Sequence, residues 1–251
     1  MKKGEIVLLI LALLILLAGI FLFLLPSINQ IRQKEQSEQA VLSFLQEHQP
    51  QATESPESDS LSPIGAGTQS DAQPRYAELL AAMQAYNAEI YANGQAGLAD
   101  PWAYTSEVFD LTEYGLSDEA VAVLTIPKMD LREPVYLGAT ATHLNSGIAQ
   151  LSISSMPIGG ENTNCVLAGH RGWDGALFFR HIEYLEAGDT VTLTNLWETL
   201  RYKVVEIKII QPYQAEEILI QPGRDLLTLI TCHPYGSGGQ YRYVVVCERT
   251  G

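Results

Sequence analysis

The sequence predicts a mainly β fold: a closed or nearly closed barrel of short strands, preceded by a helical region and one N-terminal apolar span. Three observations carry that expectation. From residue 121 onward, seven short segments rich in β-branched and aromatic residues follow one another, separated by Gly, Pro, Asn and Asp. A three-and-four apolar periodicity runs through residues 75–91, ahead of those segments. Residues 6–25 are apolar apart from Gly19 and carry no charge.

Composition excludes several classes. Hydrophobic residues make up 47% and charged ones 18%, which is globular. Fifteen Lys and Arg against 29 Asp and Glu give a net charge of −14. Phosphate backbones need a basic surface, so no nucleic-acid partner is expected. Three cysteines without a CxxC pair make neither a disulfide scaffold nor a structural zinc module.

Along the chain, residues 1–28 read as a membrane signal anchor. A helix over the apolar run would be ~30 Å long, about one hydrocarbon core. A cleaved signal peptide is the alternative, but no Ala-x-Ala site follows Pro26. Lys2 and Lys3 precede the span, which places the N-terminus in the cytoplasm and the remainder outside. With no second apolar span, a single crossing is expected. Residues 29–74 read as a juxtamembrane helix and then, over 50–74, a Ser-, Pro- and acid-rich linker that lifts the folded part off the bilayer. Residues 75–110 hold a helix with Tyr76, Leu79, Leu80, Met83, Tyr86 and Ile90 on one face, then Asp100-Pro101-Trp102. Residues 111–251 hold the barrel, with strands expected at 121–126, 133–138, 164–169, 190–194, 200–210, 226–231 and 241–248. A short helix is expected over 176–185 and a turn near 215–219.

Two strand ends carry candidate chemistry. Cys232 follows the apolar run LLTLIT, and His170 follows NCVLAG, each where a strand passes into a loop. A thiol fixed by a rigid core and open to a cleft is placed to act as a nucleophile. Arg242 opens the last strand segment, ten residues past Cys232 across a Gly-rich loop, so a hairpin would set a permanent cation beside the thiol. Cys165 and Cys247 sit inside apolar runs and read as small buried hydrophobes. Together Cys, His and Arg suggest acyl transfer through a thioester.

At these motifs the chain resembles the sortases, the membrane-anchored cysteine transpeptidases of Gram-positive bacteria. The resemblance rests on TLITC (228–232) with Pro234-Tyr235-Gly236 and Arg242, on VLAGHRG (166–172) upstream, and on LTIPKMDLREPVYLGA (124–139). It implies an eight-stranded barrel, no metal or organic cofactor, and substrate proteins carrying an LPXTG-like sorting signal. Cys232 would attack the carbonyl of the signal's Thr, His170 would serve as acid and then base, and Arg242 would hold the oxyanion. Thr231 would stand behind them near the same carbonyl. The acceptor would be an amine, from a pilin lysine or from a cell-wall peptide.

Within the family the chain is most similar to the pilin-polymerising class C, in which an Asp-Pro-aromatic motif lies over the active site as a lid. Asp100 and Trp102 match that motif, and removing both side chains is then expected to raise thiol labelling of Cys232. Two features depart from class C: the loop between Cys232 and Arg242 is about one residue longer, and no second apolar span follows the last strand. A metal site would need convergent carboxylates, and Glu161, Asp174 and Asp189 read instead as solvated loop charges. His233 adjoins Cys232, but neighbouring strand residues face opposite ways, so it does not read as the base. His143 and His181 read as packing or surface residues, and Trp173 and Trp197 as packing, with lining of a peptide groove the alternative. A non-catalytic surface barrel that binds peptide, and a cysteine protease that uses water as acceptor, are the rival functions.

Overall fold

The computed structural model describes residues 3–48, 76–98, 110–116, 120–172 and 177–250. Eight strands close into a barrel in the order β1-β2-β3-β4-β7-β8-β6-β5. They are β1 (Ala122–Ile126), β2 (Leu131–Leu137), β3 (Ile148–Gln150), β4 (Thr163–Ala168), β5 (Thr190–Asn195), β6 (Thr199–Ile210), β7 (Asp225–His233) and β8 (Tyr241–Arg249). β2 runs parallel to β3 and β4 parallel to β7; the remaining neighbours are antiparallel. Closure leaves no free sheet edge.

The apolar runs that read as continuous in the sequence are strands covered on both faces. In β7, Leu227 and Leu229 point into the barrel with Leu167, Tyr202, Val245 and Phe179. Their neighbours Leu226 and Ile230 point outward into a second cluster with Leu144, Leu151, Val166 and Val244. Alternation therefore persists, but both faces are apolar.

Two elements were not anticipated from the residues. β3 is three residues long, too short to leave a pattern, and α3 (Ala141–Ser146) is a single capped turn and a half, with Thr140 Oγ1 accepting from the His143 amide at 3.1 Å. The helix expected over 176–185 is reduced, among the described residues, to a 3-10 turn at Ile182–Tyr184. Its apolar residues Phe178, Phe179, Ile182 and Leu185 plug the barrel interior rather than lining a helix face. The turn near 215 is a 3-10 segment at Ala215–Ile218.

Helix α2 (Ala77–Ala92) buries Leu79, Met83 and Ile90 as the spacing requires, and adds Asn87, whose Oδ1 accepts from the Met156 amide at 2.7 Å. Helix α1 (Lys3–Glu47) is continuous through residue 26 and joins the expected span and juxtamembrane helix in one rod. Its last third is not held away from the barrel. Val41 and Phe44 are buried in a third cluster with Leu79, Met83, Val121, Val123 and Leu137, worth ~1.5–3 kcal/mol for each side chain. Ser37 donates to Glu133 on β2, and Gln33 Nε2 to the Asn145 carbonyl at 3.0 Å. Among the described residues no helix is long and apolar enough to cross a membrane, so the anchor expected over residues 6–25 rests on the sequence alone. The linker over 50–74 lies outside the described residues.

Candidate active site

The parallel pairing of β4 with β7 does the positioning. The ladder runs from Thr163 opposite Asp225 to Ala168 opposite Ile230. The Gly169 amide extends it by donating to the Ile230 carbonyl at 3.3 Å. Thr231 Oγ1 then donates to the Gly169 carbonyl at 2.7 Å. One residue further on, His170 comes level with Cys232. On the other side, β7 and β8 pair antiparallel with Cys232 opposite Arg242. Two registers thus bring together three side chains that are separated by up to 72 positions.

His170, Cys232 and Arg242 line one cleft of about 480 Å³, with Gly172, Tyr235 and Gly239 among its walls. Cys232 is half-buried and Arg242 is 4% exposed. The Arg242 Nη1 donates to the carbonyls of Gly239 at 2.6 Å and Tyr241 at 3.1 Å. Gly239 itself has φ +84°, and a Cβ there would sit 2.9 Å from the Cys232 sulfur and 3.0 Å from Arg242 Nη1. Thiol and guanidinium are therefore within about 6 Å of one another.

The remaining cysteines have no such access. Burial raises the Cys165 thiol far above its ordinary value, with the Asp225 carboxylate adding to the shift, and burial pushes Cys247 up to about 12. No cysteine is in a disulfide. Thr231 is fully buried, and its hydroxyl is engaged with Gly169 behind the cleft wall. His233 turns away from the cleft: its Nδ1 lies 3.0 Å from an Arg171 Nη1, and its ring packs against Tyr243. His143 is buried, with Nδ1 2.9 Å from the Gly138 carbonyl, His181 stacks on Tyr184 at the surface, and Trp197 packs onto the third cluster. Asp100, Trp102, Trp173 and Asp174 lie outside the described residues. Among the described residues no group of three or more His, Cys, Asp or Glu side chains could hold a metal ion.

A larger cavity, about 620 Å³, opens at the opposite end of the barrel between α2 and the first residues of β4 and β7. It is lined by no histidine or cysteine, so the smaller cleft is the one equipped for chemistry. Arg171 follows His170 directly within VLAGHRG (166–172), and the sequence offers no separate role for it. Its signal, a charged residue at the end of a buried strand, was present but had no partner to give it meaning.

A closed barrel of this strand order, with Cys, His and Arg lining one cleft, defines the fold and the candidate site. The Sortase domain family matches residues 124–250, and the chain belongs to the sortase family. Sortase D of Bacillus subtilis is 31% identical over 133 residues, which cover 52% of this chain and 64% of that relative. Among solved structures, the Group B Streptococcus Pilus Island 1 Sortase C2 superposes with a TM-score of 0.63 at 33% identity, covering 70% of this chain and 98% of that one. Sortase C-1 of Actinomyces oris gives a TM-score of 0.62 at 31% identity, with coverages of 70% and 99%.

Proposed function

We propose that this chain is a cysteine transpeptidase that cuts LPXTG-like sorting signals between Thr and Gly and passes the new acyl end to an amine. The observation that carries the proposal is the single cleft lined by His170, Cys232 and Arg242. Cys232 Sγ attacks the Thr carbonyl carbon, and the oxygen takes up negative charge. The Arg242 guanidinium stabilises that oxygen. Its bonds to the Gly239 and Tyr241 carbonyls hold the guanidinium at the cleft. His170 gives a proton to the departing Gly amine, leaving a thioester on Cys232. The incoming amine loses a proton to His170 as it attacks that thioester, which releases Cys232 as thiolate and leaves His170 protonated for the next turnover. No metal or organic cofactor enters these steps.

A pilin lysine is the proposed acceptor, supported by the pilus-island sortase among the structural relatives and by the class C likeness of the sequence. Membrane attachment through residues 6–25 is proposed as well, with the catalytic barrel outside the cell. Its support is the uncharged run itself, together with the exposed side chains of Leu11, Leu13, Leu14, Ile15 and Leu16 on α1.

Incubating the protein with a fluorogenic LPXTG peptide and a lysine-containing pilin peptide tests the proposal by mass spectrometry. Amide-linked product with the wild type and none with Cys232→Ala is expected. Hydrolysed peptide alone would make the chain a thiol protease, and no cleavage at all would leave a binding barrel.

A further inference from the structure

Arg171 takes no part in the steps above, yet it is 5% exposed and among the most heavily engaged cations of the described residues. Its Nη1 donates to the carbonyl of Cys232 at 3.3 Å and to Nδ1 of His233 at 3.0 Å. Its Nη2 meets Glu183 Oε2 at 2.6 Å, and its guanidinium lies 5.6 Å from the centre of the Tyr243 ring. Arginine only donates, so Nδ1 of His233 is the acceptor and the ring carries its proton on Nε2. Glu183 Oε1 stands 3.5 Å from the same Nδ1; both atoms are acceptors, so it is the Arg171 guanidinium, donating to each residue, that joins them.

The location of these bonds matters more than their number. The β4–β7 backbone ladder has its last rung at Gly169 and Ile230, and Thr231 reinforces it through the Gly169 carbonyl. The paired β4–β7 ladder ends there. The next link is Arg171 to the Cys232 carbonyl. His170 therefore stands between two cross-links, one formed by the residue before it and one by the residue after it. A third bond, from the Phe179 amide to the His170 carbonyl at 2.9 Å, holds the loop beyond. Burying a guanidinium is unfavourable unless it is paired. Here its two Nη atoms are paired from two further elements, by Glu183 in the 3-10 turn and by His233 at the end of β7, while its buried Nε has no hydrogen-bond partner among the described residues.

We propose that Arg171, held in place by Glu183 and His233, is a positioning residue that sets the separation of His170 from Cys232. The proposal rests on the transpeptidase reading of the cleft. Lysine cannot replace arginine there. A single ammonium lacks the planar fork that reaches the Cys232 carbonyl and His233 with one nitrogen and Glu183 with the other.

The test uses Arg171→Ala, Arg171→Lys and Glu183→Gln in the full chain, with concentrations corrected by titration of reactive Cys232. Misplacing an acid–base pair by about 1 Å lowers turnover by about 100-fold. Accordingly kcat on the LPXTG peptide should fall about 100-fold in Arg171→Ala and about 10-fold in Arg171→Lys, with KM within about twofold. Glu183 is exposed, so its variant should fold even if Arg171→Ala does not, and its kcat should fall about threefold to tenfold. A lower melting temperature with unchanged kcat in all three would overturn the proposal, since that marks a purely structural bond. Wild type and Cys232→Ala run alongside. If the wild type does not turn over, the transpeptidase reading fails by itself. The positioning claim is then decided by the pH profile of Cys232 alkylation with iodoacetamide. A displaced profile in Arg171→Lys and Glu183→Gln supports it, and superimposed profiles sink it.

Discussion

Gly239 shows how little room the rim leaves. Its φ of +84° suits glycine, and a methyl group there would press on both the Cys232 sulfur and the Arg242 guanidinium. Gly239→Ala is therefore expected to lower kcat/KM on the sorting peptide by at least about 10-fold while leaving the fold intact. Wild-type kinetics in that variant would mean that the loop backbone shifts freely off the thiol. Access and charge also separate the three cysteines. With Cys165 and Cys247 buried and their thiols shifted upward, iodoacetamide applied to the native protein should label Cys232 alone, as read by peptide mapping. Labelling of Cys165 before unfolding would contradict the packing of β4. The identities of Cys232 and His170 as candidates were legible from strand-end position, and Arg242 from the length of a hairpin. The roles of Arg171 and Glu183 were not, because a guanidinium that bridges two strand ends is defined by contacts between residues 12 and 61 positions apart.

At the level of elements, the site depends on β4 and β7 lying side by side. Midway along this pair, buried Asn164 accepts from Thr228 Oγ1 at 2.8 Å and donates Nδ2 to the Ile218 carbonyl at 2.8 Å. Thr228→Val keeps the shape but leaves the Asn164 oxygen without that donor, and should lower unfolding stability by about 1–3 kcal/mol. Denaturant titration measures this, and a loss below a few tenths would show that the bond contributes little. Strand positions were readable because apolar runs bounded by turn residues persist even when both faces are covered. β3 and α3 were not readable. Three residues of strand and six of helix are too few for a period to declare itself, and both exist because neighbouring strands and the Thr140 cap complete their bonds.

The whole molecule couples α1 to the barrel through Glu133. Burial lifts the Glu133 carboxyl from its ordinary value of 4.5 to about 7, with Glu38 adding to the rise and the Ser37 hydroxyl and Lys34 opposing it. In that window the folded state binds more protons than the unfolded one. Stability therefore falls as pH rises from about 4.5 to about 7. A thermal unfolding series from pH 5 to 8 should show this decline, and Glu133→Gln should flatten it. An identical slope in the variant would remove Glu133 as the cause. The same contact gives α1 a second role: its last third packs on the wall of the barrel, and the proposed anchor continues from that same helix toward its N-terminus.

The barrel class, the helix ahead of it, the apolar N-terminal run and Cys232, His170 and Arg242 as candidates were legible in the sequence alone. These depend on local periodicity, on where strands stop, and on ordered motifs that survive in one dimension. Only the tertiary structure decided that Leu226 and Leu227 serve different cores, that α1 rests on β2, and that Arg171 spans the two strand ends. Each of those is a relation between segments distant along the chain, set by register and closure of the sheet, which no single segment encodes.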